Sequence, residues 1–300
     1  MTAPLREELP DGVAPSRGDE LMLLQILLGS WPLELAADDA VGMDEYAKRI
    51  GQWQEKAIRE AKLRSTWSAP NEAYESACRG YLERLLLQQP GAALRGEIAA
   101  AAMSIAPAGA LNGLSQTLLR MTAPGVPDLY QGAEFWDFSL VDPDNRRPVD
   151  FTVRSQALAH QHDTGELLAN WRDGRIKQWL IGQTLQLRAE LPELFTAGEY
   201  LPLEVHGEQA ERVLAFARRH EGKTVVVIVP RLAFVLLEGG DNPFIDPRSW
   251  GDTYVQLPES LAIQGLRGLF CSSAVTNNEH LRLADVLATF PLGILRSEPT

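Results

Sequence analysis

Residues 122–150 hold the densest run of groups able to do chemistry. Tyr130, Gln131, Glu134, Trp136, Asp142, Asp144, Asn145, Arg146 and Arg147 all fall there. Upstream of them, Pro124-Gly125-Val126-Pro127 fixes two φ angles and frees one, so the chain enters Asp128-Leu129-Tyr130 in a set direction. A short strand ending in Tyr130-Gln131-Gly132-Ala133-Glu134 would present polar groups just past its C-terminal end. In a β/α-barrel, that end is where ligands sit. Residues 135–150 then set two adjacent arginines among acids, an amide and aromatics. Planar polar groups grip hydroxyls and aromatic faces cover C–H faces, so the mixture suits a carbohydrate. The same residues also build a surface loop held by Asp–Arg pairs, and residue types alone leave both readings open.

Paired carboxylates are the obvious catalytic device. Retaining glycosyl transfer needs one to attack the anomeric carbon and another to protonate the leaving oxygen, roughly 5–5.5 Å away. Asp142 with Asp144, or Asp128 with Glu134, are near enough in sequence. Arg146 and Arg147 share the loop with the first pair, so ion pairing accounts for it better than acid catalysis. His160, His162, His206, His220 and His280 show neither a spacing with cysteine nor a helical His-Glu-x-x-His, so no metal and no cofactor is expected. Gly-x-Gly-x-x-Gly, a phosphate loop and Gly-x-Ser-x-Gly are absent.

Composition narrows the partners. A net charge of -12 over 300 residues argues against a nucleic-acid phosphate backbone, which needs a basic stripe. Cys78 and Cys271 make no disulfide framework, which points to a reducing cytoplasm. The longest apolar stretches, 21–28 and 224–229, are too short for a bilayer, and no secretory signal is visible, so no membrane association is expected.

The elements that must position the loop read as follows. Residues 1–18 form an irregular lead-in, and their abrupt switch to regular pattern hints that the chain begins mid-domain. Asp19 would cap a helix over 20–30, apolar on both sides and so buried in a large core. Further helices fit 44–63, a segment after Pro70-Asn71, 97–104, 108–121, 152–170 and 175–191. Cys78, Trp31, Trp53 and Trp67 are expected in cores, and Trp136 as a sugar platform. After Pro192 the pattern turns to short β-rich runs at 200–205, 213–218, 224–229, 253–257 and 282–287, punctuated by glycines. The run 224–229 is continuously apolar, like a strand covered on both faces. Three regions result: 1–18, a helical part at 19–192 and a small β-sandwich-like domain at 193–300.

Ala123-Pro124-Gly125-Val126-Pro127-Asp128-Leu129-Tyr130-Gln131-Gly132-Ala133-Glu134 resembles the eighth-strand motif of the α-amylase clan. Its continuation, Trp136-Asp137-Phe138-Ser139-Leu140-Val141-Asp142-Pro143-Asp144-Asn145-Arg146-Arg147-Pro148-Val149-Asp150-Phe151, is similar to the long version seen in maltooligosyl trehalose synthases. Leu28-Gly29-Ser30-Trp31-Pro32, Trp67 with Pro70-Asn71-Glu72-Ala73-Tyr74-Glu75, Gly109-Ala110-Leu111-Asn112-Gly113-Leu114-Ser115-Gln116 and Gly198-Glu199-Tyr200-Leu201-Pro202 resemble that family in the same order. The resemblance spans nearly the whole chain. It implies an α/β plus β fold: the C-terminal part of an amylase-type (β/α)8 barrel with helical insertions, followed by an antiparallel β-sandwich-like domain. It also implies intramolecular transglucosylation, in which the terminal α-1,4 bond of a maltooligosaccharide becomes an α,α-1,1 trehalose linkage. Family members are more than twice this length, and their three catalytic carboxylates precede the region represented here. The chain alone is thus expected to be inactive, with an N-terminal barrel portion as its partner and the nine residues named first shaping sugar subsites. His162-Asp163-Thr164 mimics the start of the segment carrying the third carboxylate, but it lies downstream of the eighth strand and reads as a helix surface. The alternatives are a non-catalytic glucan-binding or structural fragment, and another amylase-clan hydrolase.

Overall fold

The computed structural model describes residues 2–261, 265–270, 274–275 and 279–297, so Cys271 lies outside the described residues. It resolves into two compact units, Met1–Ile105 with Phe138–Pro148, and Ala106–Asp137 with Val149–Thr300.

The first unit opens with a hairpin, not an irregular lead-in: β1 (Glu7–Leu9) pairs antiparallel with β2 (Gly12–Ala14). Strands of three residues are too short to show alternation in a sequence. Ser16, not Asp19, caps α1 (Arg17–Ser30), its side chain accepting from the Asp19 amide. Helix α1 is also not buried all round. Leu23 and Leu27 are fully buried, whereas Leu21 is 58% exposed. Asp39 caps α2 (Ala40–Ala61), and Asn71 caps α3 (Glu72–Leu86). Trp31, Tyr46, Ile50, Tyr81 and Leu85 join the α1 face in one core. Two acids pin the helices together. Glu20 takes the Arg6 guanidinium and the Tyr81 hydroxyl, and Glu75 takes Arg59 in a two-point ion pair at 2.7 and 2.8 Å. Cys78 is buried, and burial pushes its thiol up to about 12. Trp67 departs from its expected core place: it is exposed, beneath the Arg59 guanidinium at 4.9 Å.

The segments 97–104 and 108–121 are one helix, α4 (Ala92–Thr122), which carries Pro107 within it. With the preceding turn it runs Gln89–Thr122, long and apolar enough to cross a membrane by length and composition. Its Leu111, Leu114, Leu118 and Met121 are nonetheless fully buried in the second unit, as in a core helix.

In the second unit, the segment 152–170 is two helices, α5 (Phe151–Ala159) and α6 (Thr164–Ala169), parted at residues 160–163. Helices α7 (Arg175–Glu190) and α8 (Pro192–Thr196) follow. The strands are β3 (Glu199–Pro202), β4 (Val205–His206), β5 (Val213–His220), β6 (Lys223–Pro230), β7 (Tyr254–Gln256), β8 (Leu266–Gly268), β9 (Ala274–Val275), β10 (His280–Arg282) and β11 (Gly293–Ser297). They form a six-stranded antiparallel sheet in the order β3-β5-β6-β11-β8-β9 and a three-stranded one in the order β10-β7-β4. Strand β6 is central, and Val225 to Val229 are buried without break, as its apolar run requires. Its hairpin with β5 turns through Glu221 and Gly222, both at positive φ, the geometry a two-residue connection favours. Only the first residue of the expected strand 282–287 is extended; the rest is the short helix α9 (Leu283–Val286).

Among the described residues there is no closed barrel, and the expected strand at 128–130 does not form. A barrel strand exists through hydrogen bonds to two neighbours. The described sheets supply none for this segment.

Candidate functional site

The run 122–150 is divided between the two units. Tyr130, Gln131, Glu134 and Trp136 belong to the second, and Asp142, Asp144, Asn145, Arg146 and Arg147 to the first.

In the second unit the run begins where α4 ends. Two guanidiniums meet the terminal carbonyls: Arg188 donates to Met121 O at 2.6 Å, and the fully buried Arg218 to Thr122 O at 3.0 Å. Cations at a helix C-terminus satisfy its orphan carbonyls and its dipole. Arg218 also reaches Phe195 O and Gly198 O, so one side chain ties the loop entry to α8 and β3. Beyond the half-exposed Tyr130, the chain turns with the Ala133 amide on Tyr130 O at 3.0 Å. Gly132 sits at φ +85°, where a Cβ would come within 2.9 Å of Val149.

Arg154, on the first turn of α5, organises this turn. It donates to Glu134 Oε2 at 3.1 Å, Gly132 O at 2.8 Å and Asp150 O at 3.1 Å, and stacks 4.8 Å over the Phe135 ring. Lys177 donates to Phe135 O at 3.2 Å and lies 5.9 Å from the Trp136 ring. Burial, with Arg120 nearby, pulls the Lys177 ammonium below its usual range. Trp136 gives its indole N–H to Trp171 O at 2.6 Å, and its ring meets Trp171 edge-on.

In the first unit the run packs on α2. Arg49 holds Asp144 through two bonds of 2.9 Å and also donates to Phe138 O. Asp144 further accepts the Leu140 amide at 2.7 Å and pairs with Arg147 at 3.2 Å. Burial alone would raise the Asp144 pKa. Arg49, the Leu140 amide and Arg147 outweigh it and leave the acid below the usual carboxylate range. Lys56 donates to Asp142 O at 2.7 Å, while Arg146 pairs with the Asp142 carboxylate in the open. Arg147 also bonds Ser139, and Asn145 is half-buried.

Two consequences follow. Three of the four carboxylates offered as dyads are paired with arginines: Asp144 with Arg49 and Arg147, Asp142 with Arg146, and Glu134 with Arg154, so neither pair keeps two free acids. A general acid needs the opposite electrostatics. Second, the organising cations Arg49, Lys56, Arg154 and Lys177 went unnoticed in the sequence. A signal existed for two of them. Arg49 and Lys56 are seven apart on an amphipathic helix, hence on one face, and both turn to the same loop. Asp163, in the segment mimicking a catalytic motif, caps α6 through the Gly165 and Glu166 amides.

No family model matches the chain. A protein of Mycobacterium tuberculosis named as a maltooligosyl trehalose synthase is 34% identical over 283 residues, 94% of this chain and 32% of its own length. Among solved structures, the maltooligosyltrehalose synthase of Arthrobacter ramosus superposes with a TM-score of 0.69 at 30% identity, covering 93% of this chain and 32% of that one. A further maltooligosyl trehalose synthase superposes at 0.67 with 25% identity, over 94% of this chain and 34% of its own. Along nearly all its length, the chain is homologous to the maltooligosyl trehalose synthases and spans about a third of the curated relatives it matches.

Proposed function

We propose that the chain is the C-terminal portion of a maltooligosyl trehalose synthase, a glucan mutase that converts the reducing-end α-1,4 linkage of a maltooligosaccharide into an α,α-1,1 trehalose linkage. The observation that carries this reading is the 34% identity sustained over 94% of the chain. On this reading the segment 128–130 is the eighth strand of an amylase-type barrel whose other strands come from an N-terminal portion. The sheets that draw every strand from beyond residue 198 are then the C-terminal β domain, 193–300, following a helical, barrel-associated part at 19–192. The nucleophile and acid/base carboxylates come from the N-terminal portion. The sugar-binding residues are Tyr130, Gln131, Glu134 and Trp136 in the second unit, where Arg154 holds Glu134 and Lys177 the Phe135 carbonyl, and Asp142, Asp144, Asn145, Arg146 and Arg147 in the first, where Arg49 holds Asp144 and Lys56 the Asp142 carbonyl. Arginine forks and amides offer several donors each with which to grip sugar hydroxyls. The enzyme works in the cytoplasm, where maltooligosaccharides are its substrate.

Incubation with maltopentaose tests the reading. The chain alone leaves the sugar unchanged. Mixed with the N-terminal two thirds of a relative, it removes reducing ends without releasing glucose. Release of sugar by the mixture would make it a hydrolase. A mixture that associates but stays inert would leave a binding fragment.

A further inference from the structure

The break between α5 and α6 brings together three groups that no catalytic reading uses. His160 ends α5, His162 follows two residues later, and Glu166 lies on the first turn of α6. One ligand atom from each lies within 4.8 Å of the others. Asp163, between the histidines and Glu166, caps α6 through the Gly165 and Glu166 amides.

His162 is set up as a ligand. Its Nε2 lies 3.0 Å from the carbonyl of Ala157, which only an N–H can satisfy, so the proton sits on Nε2. In the neutral ring this leaves Nδ1 with a bare lone pair, and this atom is buried with no hydrogen-bond partner. A buried unpaired acceptor costs about 1–3 kcal/mol, so the arrangement calls for an occupant. An imidazole whose other nitrogen donates to a backbone carbonyl is the usual form of a metal-ligating histidine. The His160 ring meets His162 edge-on with centroids 4.8 Å apart, and Glu166 has only a loose 3.9 Å ion pair with Arg175. Both residues are exposed. Metal–ligand bonds of about 2.0–2.1 Å place tetrahedral ligand atoms roughly 3.3 Å apart. Closing the cluster from 4.8 Å to that spacing requires the exposed His160 and Glu166 side chains to turn. A hollow of about 360 Å³ bordered by His160, His162, Gln178, Trp179 and Gln183 leaves room for water at a fourth position.

We propose that His160, His162 and Glu166 form a binding site for a divalent transition-metal ion of the Zn²⁺ class, with water as the remaining ligand. Two imidazoles and one carboxylate suit such ions, whereas Ca²⁺ and Mg²⁺ prefer all-oxygen sets. The site is independent of the trehalose-forming reading, and its test needs no turnover.

Untagged full chain is titrated with ZnCl₂ by calorimetry and with CoCl₂ by visible absorption. One equivalent binds with a Kd of about 1 μM or tighter, and Co²⁺ gives the intense d–d bands of a tetrahedral site. His160→Ala and Glu166→Gln each weaken binding by at least about tenfold, the scale at which even supporting groups of metal sites act. Both residues are exposed, so these variants keep the parent circular dichroism. They decide the matter even if His162→Ala fails to fold. His206→Ala, on β4, leaves the stoichiometry unchanged. No saturable binding up to about 100 μM, or unaltered affinity in His160→Ala and Glu166→Gln, overturns the proposal.

Discussion

Asp144 and Arg146 stand two residues apart and have opposite physical roles. The Asp144 side chain is 8% exposed and held by Arg49 at two points. Removing Arg49 leaves the buried Asp144 with only Arg147 and the Leu140 amide, at a cost of up to about 3 kcal/mol. Arg49→Met is therefore expected to lower urea stability by about that amount, and an unchanged midpoint would put the pair at the level of a surface contact. The acid dependence has a definite sign. Because the folded-state pKa of Asp144 is depressed, its contribution is complete above the unfolded-state value and is lost as pH falls through the folded one. Glu20 and Glu75 are depressed as well: burial opposes Arg6 and Tyr81 at the first, and Arg59 leads at the second. Stability should hold from neutral pH down through the ordinary carboxylate range and fall below it, less steeply in Arg49→Met. Arg146 pairs with Asp142 in solvent, its side chain 71% exposed, and such pairs contribute about 0–1 kcal/mol. Arg146→Ala should leave stability unchanged yet lower the turnover of a reassembled mutase at least about tenfold, roughly 1.4 kcal/mol of barrier. Normal turnover would return residues 142–147 to a surface loop.

At the scale of elements, the start of α7 shows how backbone geometry sets the candidate loop. Gly174 precedes α7 at φ +80°, and a Cβ there would come within 2.8 Å of Phe135 Cβ and the Trp136 amide. Gly174→Ala must strain the left-handed position and push the Phe135–Trp136 backbone, whose carbonyl Lys177 holds from the next turn. A loss of about 1–2 kcal/mol is expected, together with altered Trp136 fluorescence. A fully native emission spectrum would show that the loop is set elsewhere. The same elements mark what a sequence can reveal. Helix α2 was legible because Met43, Tyr46 and Ile50 recur at helical spacing, and β6 because an unbroken run of valines and one isoleucine suits a covered strand. The hairpin at 7–14 was not legible, since three residues carry no periodicity, nor was the single helix through Pro107, where a breaker is absorbed. At the site, the nine polar residues stood out by type. Their holders did not, because Arg49 lies 95 residues from Asp144 and only folding brings them together.

At the scale of the whole molecule, the question is what covers the apolar groups around the loop. Val126 is 96% exposed, and Tyr130, Phe151, Val153 and Leu158 are also open to solvent. Single exposed apolar residues are ordinary. Here they come from the 123–137 loop and α5 of one unit, and that loop holds a segment that resembles a barrel strand but pairs with nothing in the described sheets. The relatives are matched over only 32% of their length, and the N-terminal portion of the proposed reading is what would cover these groups. The chain alone should therefore self-associate with rising concentration in light scattering and bind a hydrophobic dye. Adding the N-terminal two thirds of a relative should suppress both effects and yield a one-to-one complex. Hydrogen exchange localises the change: the amides of Leu129 and Tyr130 exchange rapidly in the chain alone and slowly in the complex, as a strand gains two neighbours. The six-stranded sheet, whose strands already pair among themselves, should be protected equally in both states. A monodisperse 33.1 kDa monomer that resists protease throughout, ignores the added portion and leaves Leu129 and Tyr130 unprotected would show that nothing docks on this face.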